Sequence, residues 1–291
     1  MSWVFYATLC LFVSTGYKVF NQHYKINASI LMLYRGIGLS LVVLPIVLIA
    51  PHQPKEFYYY AILLGFIISF MDNLYLKGVS KFGAGPISRV SPLYILASLV
   101  IWWIISPEGF YLLLENKLKL AGVIFSIITV VFALFFIKSD KLSNNIIKYC
   151  FPIYIGCICI DVFAKLMFNA GDGTVNSVYS YMCVSSFVAG FINLMYLIKK
   201  NGFNKDAYNS VFEKRTVTCG LMIIIFIFGA MYGRNNAVII ADNPAYVSAF
   251  TSMSPVIIAL YNKFVNFEDK TNKVAGFLIV FGCIMLSFFA K

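Results

Sequence analysis

Runs of about twenty apolar residues, parted by short polar breaks, recur along the whole chain, and no other feature limits the fold as tightly. A helix needs about 20 apolar residues to cross a hydrocarbon core of roughly 30 Å, because every backbone N–H and C=O must be satisfied inside the segment. Ten such runs are read: 2–21, 27–50, 57–80, 86–106, 118–137, 149–170, 175–198, 217–241, 244–263 and 273–290. None alternates with period two, which excludes an outer-membrane barrel. The expected fold is an all-α membrane protein of ten transmembrane helices. Composition agrees, with 60% hydrophobic and 12% charged residues and a mean hydropathy of +0.83. The first run has no basic segment before it and no small-residue cleavage site after it, so it reads as a retained helix.

Loop charge predicts orientation. Fifteen of the 23 basic residues fall on the side reached after an odd number of crossings, against Lys55, Lys117, Lys119 and Lys291 on the side of the termini. Basic loops face the cytoplasm, so a multi-pass cell (inner) membrane protein with both termini outside the cytoplasm is expected. The net charge of +11 is scattered among short loops rather than gathered in a patch, so lipid headgroups are expected partners and nucleic acid is not. The seven cysteines lie almost wholly within spans, and His23 and His52 sit in different loops. No disulfide framework, metal site or cofactor is expected.

The chain also resembles itself. Ser91-Pro92 recurs as Ser254-Pro255, and the same offset sets Asp72-Asn73 on Asn235-Asn236. Lys119-Leu120-Ala121-Gly122 matches Lys273-Val274-Ala275-Gly276, and Lys18 matches Lys165. Residues 1–140 and 141–291 are therefore read as two five-helix repeats. Five is odd, so the second enters the membrane upside down, an arrangement that supplies two nearly equivalent packings, one open to each side.

An ionised group at the bilayer centre costs from about 2.5 to over 10 kcal/mol, so such groups face a bundle interior or water. At 1.5 Å per residue, Lys18 and Asp72 share a level on the odd side of the midplane. Lys165 and Arg234-Asn235-Asn236 form a second level toward the termini, with Asp161 between. The expected substrate-binding set is Tyr17, Lys18, Asp72, Asn73, Tyr75, Asp161, Lys165, Tyr232, Arg234, Asn235 and Asn236, the tyrosines being those beside the polar levels. Other readings stand beside this one. Asp161 and Lys165, four apart, can neutralise each other on one helix face. Asn235 and Asn236 can serve as interhelical hydrogen-bond glue. Lys77 can snorkel to the interface, and Arg35 and Arg89 can reach headgroups. Gly229 and Gly233 suit close helix packing, and Pro92 and Pro255 are expected to bend spans four and nine.

Intramembrane Lys18, the Leu33-Tyr34-Arg35-Gly36 opening of span two, the paired Ser-Pro steps, and Glu268 followed by Gly276 and Gly282 resemble the drug/metabolite transporter superfamily, of the EamA-like ten-helix kind. Ser14-Thr15-Gly16 replaces the family's usual Trp-Gly, and family members keep both termini cytoplasmic, against the loop charge here. The resemblance implies a transporter with Arg35, Pro92 and Pro255 at gates or interfaces.

No Ser or Cys has a recognisable base partner, so an enzyme is not expected. The leading expectation is a secondary active transporter of a small polar organic metabolite by alternating access. Its basic excess favours an anionic or zwitterionic, amino-acid-like solute. Its partners would be that substrate, a coupling proton or counter-solute, membrane lipids and a second copy of the chain. An exporter of cationic or amphipathic compounds, a lipid-linked sugar flippase, and a non-transporting scaffold are the alternatives.

Overall fold

The computed structural model describes residues 2–24, 28–82, 93–136, 144–201, 209, 211–265 and 272–290. Within them every regular element is helical: α1 (Trp3–Tyr24), α2 (Ala28–Leu33), a π-helical turn (Tyr34–Gly38), α3 (Leu39–Ile49), α4 (Lys55–Phe82), α5 (Leu93–Ile105), α6 (Glu108–Glu115), α7 (Lys117–Phe136), α8 (Asn144–Ala170), α9 (Val175–Asn201), α10 (Lys214–Ile240), α11 (Pro244–Thr251), α12 (Ser254–Phe264) and α13 (Lys273–Phe289). Among the described residues eight segments are long and apolar enough to cross a membrane, and a ninth exists if α5 and α6, bent by 98°, count as one. α13 is apolar but 17 residues long. The protein is an all-α, multi-pass membrane protein.

Local sequence sets several of these boundaries. Asn243 accepts a bond from the Ala245 N–H, and Pro244 fills the first helical position, where its missing N–H costs nothing, so α11 begins there. Asn272 caps α13 in the same way through the N–H groups of Val274 and Ala275. Span nine is divided: α11 ends at Thr251, and α12 restarts at Ser254 with Pro255 in its first turn. Span two, expected as one continuous helix, is interrupted by the π turn that carries Arg35.

Large apolar side chains such as Phe12, Leu48, Phe66 and Phe132 point outward, as lipid-facing residues must. The buried faces pack small on small. Gly233 of α10 lies against the Cys10 nitrogen and the Tyr6 carbonyl of α1, leaving no room for a side chain. The main helix pairs are α1 with α10, α4 with α8, α7 with α13, and α9 with both α3 and α4. Each joins a helix before residue 140 to one after it. Lesser contacts of α5 with α8 and of α11 and α12 with α1 follow the same rule.

Candidate functional site

An α-helical turn widened to π changes the direction of its side chains, and such bulges concentrate at functional positions. Here it carries Arg35 toward α4, where Nη1 makes an ion pair with Asp72 Oδ2. The turn can sit this deep because Gly36 meets Gly190 of α9 backbone to backbone. Both charged side chains keep partial exposure, 21% and 26%. They line a cavity with Gly36, Ser185, Ser186 and Asn193 whose 10 Å³ is about room for one water.

A second ion pair joins α10 to α8. Arg234 Nη2 lies 2.5 Å from Asp161 Oδ1, and the Ser248 hydroxyl of α11 lies 3.0 and 2.8 Å from the two carboxylate oxygens. The pair is lopsided, with the Arg234 side chain 25% exposed and that of Asp161 2%. Ser98 of α5, fully buried, faces the same carboxylate, yet its hydroxyl has no hydrogen-bond partner.

The two ion pairs are neighbours. Tyr181 of α9 is close enough to interact with both arginines and with Asp72, and Cys157 of α8 with Asp72, Asp161 and Arg234. Tyr17 and Tyr75 border the Arg35–Asp72 pair. Lys18 stands in the same neighbourhood across Cys10, which faces both Lys18 and Arg234. Its Nζ donates to Ser254 Oγ at 3.0 Å, and that hydroxyl is 3.0 Å from Thr15 Oγ1. Protein atoms surround Lys18, yet its side chain keeps exposed surface.

Other expected site residues fall elsewhere. Lys165 donates to the carbonyls of Val238 (2.9 Å) and Ile239 (2.8 Å), the orphan acceptors at the end of α10, while Asp161 takes Arg234 and Ser248. Asn73 binds Asn193 Oδ1 at 3.0 Å, and Asn193 donates to Ser69 Oγ and Ala189 O, a hydrogen-bonded seam between α4 and α9. Asn236 donates to the Tyr232 carbonyl in its own helix, and Asn235 is buried with Oδ1 unpartnered. Tyr232 belongs to an aromatic stack with Phe228 and Tyr179, edged by Tyr6. Pro255 opens α12 beside Ser254. Pro92, with Ser91 and Arg89, lies outside the described residues, as does the side chain of Lys77.

Exposure changes across the bundle. Lys18, Arg35, Asp72 and Arg234 keep exposed surface, whereas Asp161 and Lys165 are buried. The end beyond Lys165 is tied shut: Trp3 Nε1 donates to Ala290 O, Trp102 Nε1 to Asp242 O, and Asn243 Nδ2 to Leu99 O. Outside the membrane at this end, Gln53 bonds Asp172 through both its amide donor and its amide oxygen. Burial pushes the Asp172 carboxyl up, but the bonds from Gln53, Thr174 and Ser177 outweigh it and hold the group below its ordinary range.

Sequence reasoning missed Tyr181, Cys157, Ser98, Ser248 and Asn193. Asn193 carried the signal that singled out Asn73, an amide inside an apolar run. The serines carried none, since serine is common in membrane helices.

No family model matches the chain, and no curated protein matches it. One solved crystal structure is similar over 99% of this chain and 98% of its own, with a TM-score of 0.64 at 11% identity. At that identity the likeness speaks for the fold alone.

Proposed function

We propose that this chain is a secondary transporter of small carboxylate-bearing metabolites, working by alternating access of two inverted five-helix repeats in the manner of the drug/metabolite transporter superfamily. The observation that carries the reading is one polar cluster, fed by helices from both halves, in which Lys18, Arg35, Asp72 and Arg234 keep surface exposure while Asp161 is sealed. The interfaces support the repeat: under exchange of halves, α1 on α10 becomes α8 on α4, α7 on α13 maps to itself, and α5 on α8 becomes span nine on α1. On this reading the chain has ten crossings, α13 being a short one, in a cell membrane with both termini outside the cytoplasm.

Charge argues for the substrate class. The cluster holds Lys18, Arg35 and Arg234 against Asp72 and Asp161, and the two ion pairs leave Lys18 with a hydroxyl partner among the described residues. An ammonium in a low-dielectric wall attracts an anion strongly, so a solute carboxylate would complete the set. A scaffold without transport is the second reading, and the completeness of the two ion pairs together with the 10 Å³ cavity favours it.

Counterflow in liposomes against a panel of amino acids and carboxylates decides between them. The transporter reading expects saturable exchange of at least one carboxylate solute and its loss in Lys18→Met with the protein still folded. Exchange of nothing in the panel, with Lys18→Met altering only the melting temperature, would establish the scaffold.

A further inference from the structure

The two carboxylates of the cluster differ in what their surroundings provide. Asp72 meets one arginine and is about a quarter exposed. Asp161 is sealed, and among the described residues its one charged partner, Arg234, is a quarter exposed. The elements packed on α8 bring Arg234 from α10, Ser248 from α11 and Ser98 with Tyr94 from α5 to this carboxylate. From α4 comes Asp72, across Cys157, and Tyr181 of α9 and Cys10 of α1 stand beside Arg234. Lys165, one turn along α8, is turned to the end of α10. Arg234 and the Ser248 hydroxyl serve the ionised carboxylate. The Ser98 hydroxyl, fully buried and beside the same carboxylate without a formed hydrogen bond, can donate to the ionised group or accept from a carboxylic O–H.

Resting on the transport reading above, we infer that Asp161 is the proton-carrying group of this chain: a proton taken by its carboxylate frees Arg234, and the released charge draws the substrate carboxylate into the cluster. The step balances simply. A proton leaves hydronium in the open vestibule and forms an O–H bond on Asp161, donated to Ser98 Oγ. The hydrogen bond from Arg234 is given up, and the guanidinium keeps its charge. The five charged groups pass from a net +1 to +2, so the anion binds more tightly after the proton, and by linkage the proton binds more tightly after the anion. One proton then accompanies each substrate molecule. Substrate affinity falls by up to about tenfold per pH unit over the range in which Asp161 loses its proton.

Two measurements test this, the first needing no substrate. Infrared difference spectra of the protein in lipid, recorded as pH is lowered, should show a protonated-carboxyl C=O band that is lost in Asp161→Asn, moves in frequency in Asp161→Glu and stays unchanged in Asp72→Asn. A band that survives Asp161→Asn, or one lost only in Asp72→Asn, overturns the assignment. Should Asp161→Asn not fold, a band unmoved in Asp161→Glu does the same. The second measurement uses any solute that exchanges in counterflow. An inward pH gradient should drive its accumulation by the wild type and not by Asp161→Asn. Accumulation that persists in Asp161→Asn, or that follows a sodium gradient in place of the pH gradient, also overturns it. Absence of exchange by the wild type with every solute counts against transport itself, and the infrared band still decides whether Asp161 titrates.

Discussion

Lys18 of α1 and Lys165 of α8, paired by the sequence comparison, meet different surroundings. Lys165 is 8% exposed and places its ammonium on two carbonyls at the C-terminus of α10, where the helix dipole favours a cation by about 0.3–2 kcal/mol. That offsets part of the several kcal/mol that sealing an ammonium away from water costs. Lys18 is exposed and bonds one hydroxyl among the described residues, which leaves it free to meet an anion. Asn73 and Asn193 show the opposite use of polarity, since each finds its partners in the seam between α4 and α9. Removing the Asn193 amide strands the Asn73 donor and the Ser69 hydroxyl without adding charge. Asn193→Ala should therefore lower stability by about 1–2 kcal/mol, read from thermal unfolding in detergent, with substrate exchange little changed. A large loss of exchange with unchanged melting would move Asn193 into the solute path.

At the scale of elements, the π turn and its crossing with α9 decide whether Arg35 reaches Asp72. A Cβ built on Gly190 would stand 2.5 Å from the Ile37 nitrogen and 2.8 Å from the Gly36 carbonyl carbon, and neither backbone atom can step aside alone. At Gly229 the nearest atom is a methyl of Val13 at 3.2 Å, which a small side-chain shift relieves. Gly190→Ala should cost about 1–3 kcal/mol and abolish exchange by pulling Arg35 off Asp72, whereas Gly229→Ala should stay within a fraction of that. Paired melting and counterflow measurements on the two variants check this contrast, and equal effects would refute it. The π turn also marks where the sequence stops being informative. A twenty-residue apolar run announces a helix, because lipid allows the backbone nothing else. A shift of one turn from i→i+4 to i→i+5 bonding leaves no trace in composition, and the glycine that permits it lies on another span, more than 150 residues away. The break before Pro255 was legible, because proline cannot donate the bond that would continue the helix.

For the whole molecule, charged residues inside apolar runs could be found one by one, but their pairing could not. Spacing along one helix allowed Asp161 to pair with Lys165, while the fold gives Asp161 to Arg234 from 73 residues further on and Lys165 to a helix end. Pairing across a bundle depends on how helices are turned about their axes, and that is set by the glycine contacts and seams just described rather than by local pattern. The same global packing makes the two ends of the bundle unequal. Trp3, Trp102, Asn243 and Gln53 tie the end beyond Lys165, while Lys18 toward the other end is exposed. In a background without native cysteines, Lys18→Cys should react many times faster than Lys165→Cys with a membrane-impermeant thiol reagent. With the basic loops in the cytoplasm, as proposed, inside-out vesicles should label and right-side-out cells should not. A transporter that alternates must open the other end in turn. A bound solute that favours the opposite packing should then slow labelling at Lys18→Cys and quicken it at Lys165→Cys together, because one rocking motion closes the first path as it opens the second. Labelling that changes at one position and not at the other would break that coupling and, with it, the alternating-access mechanism.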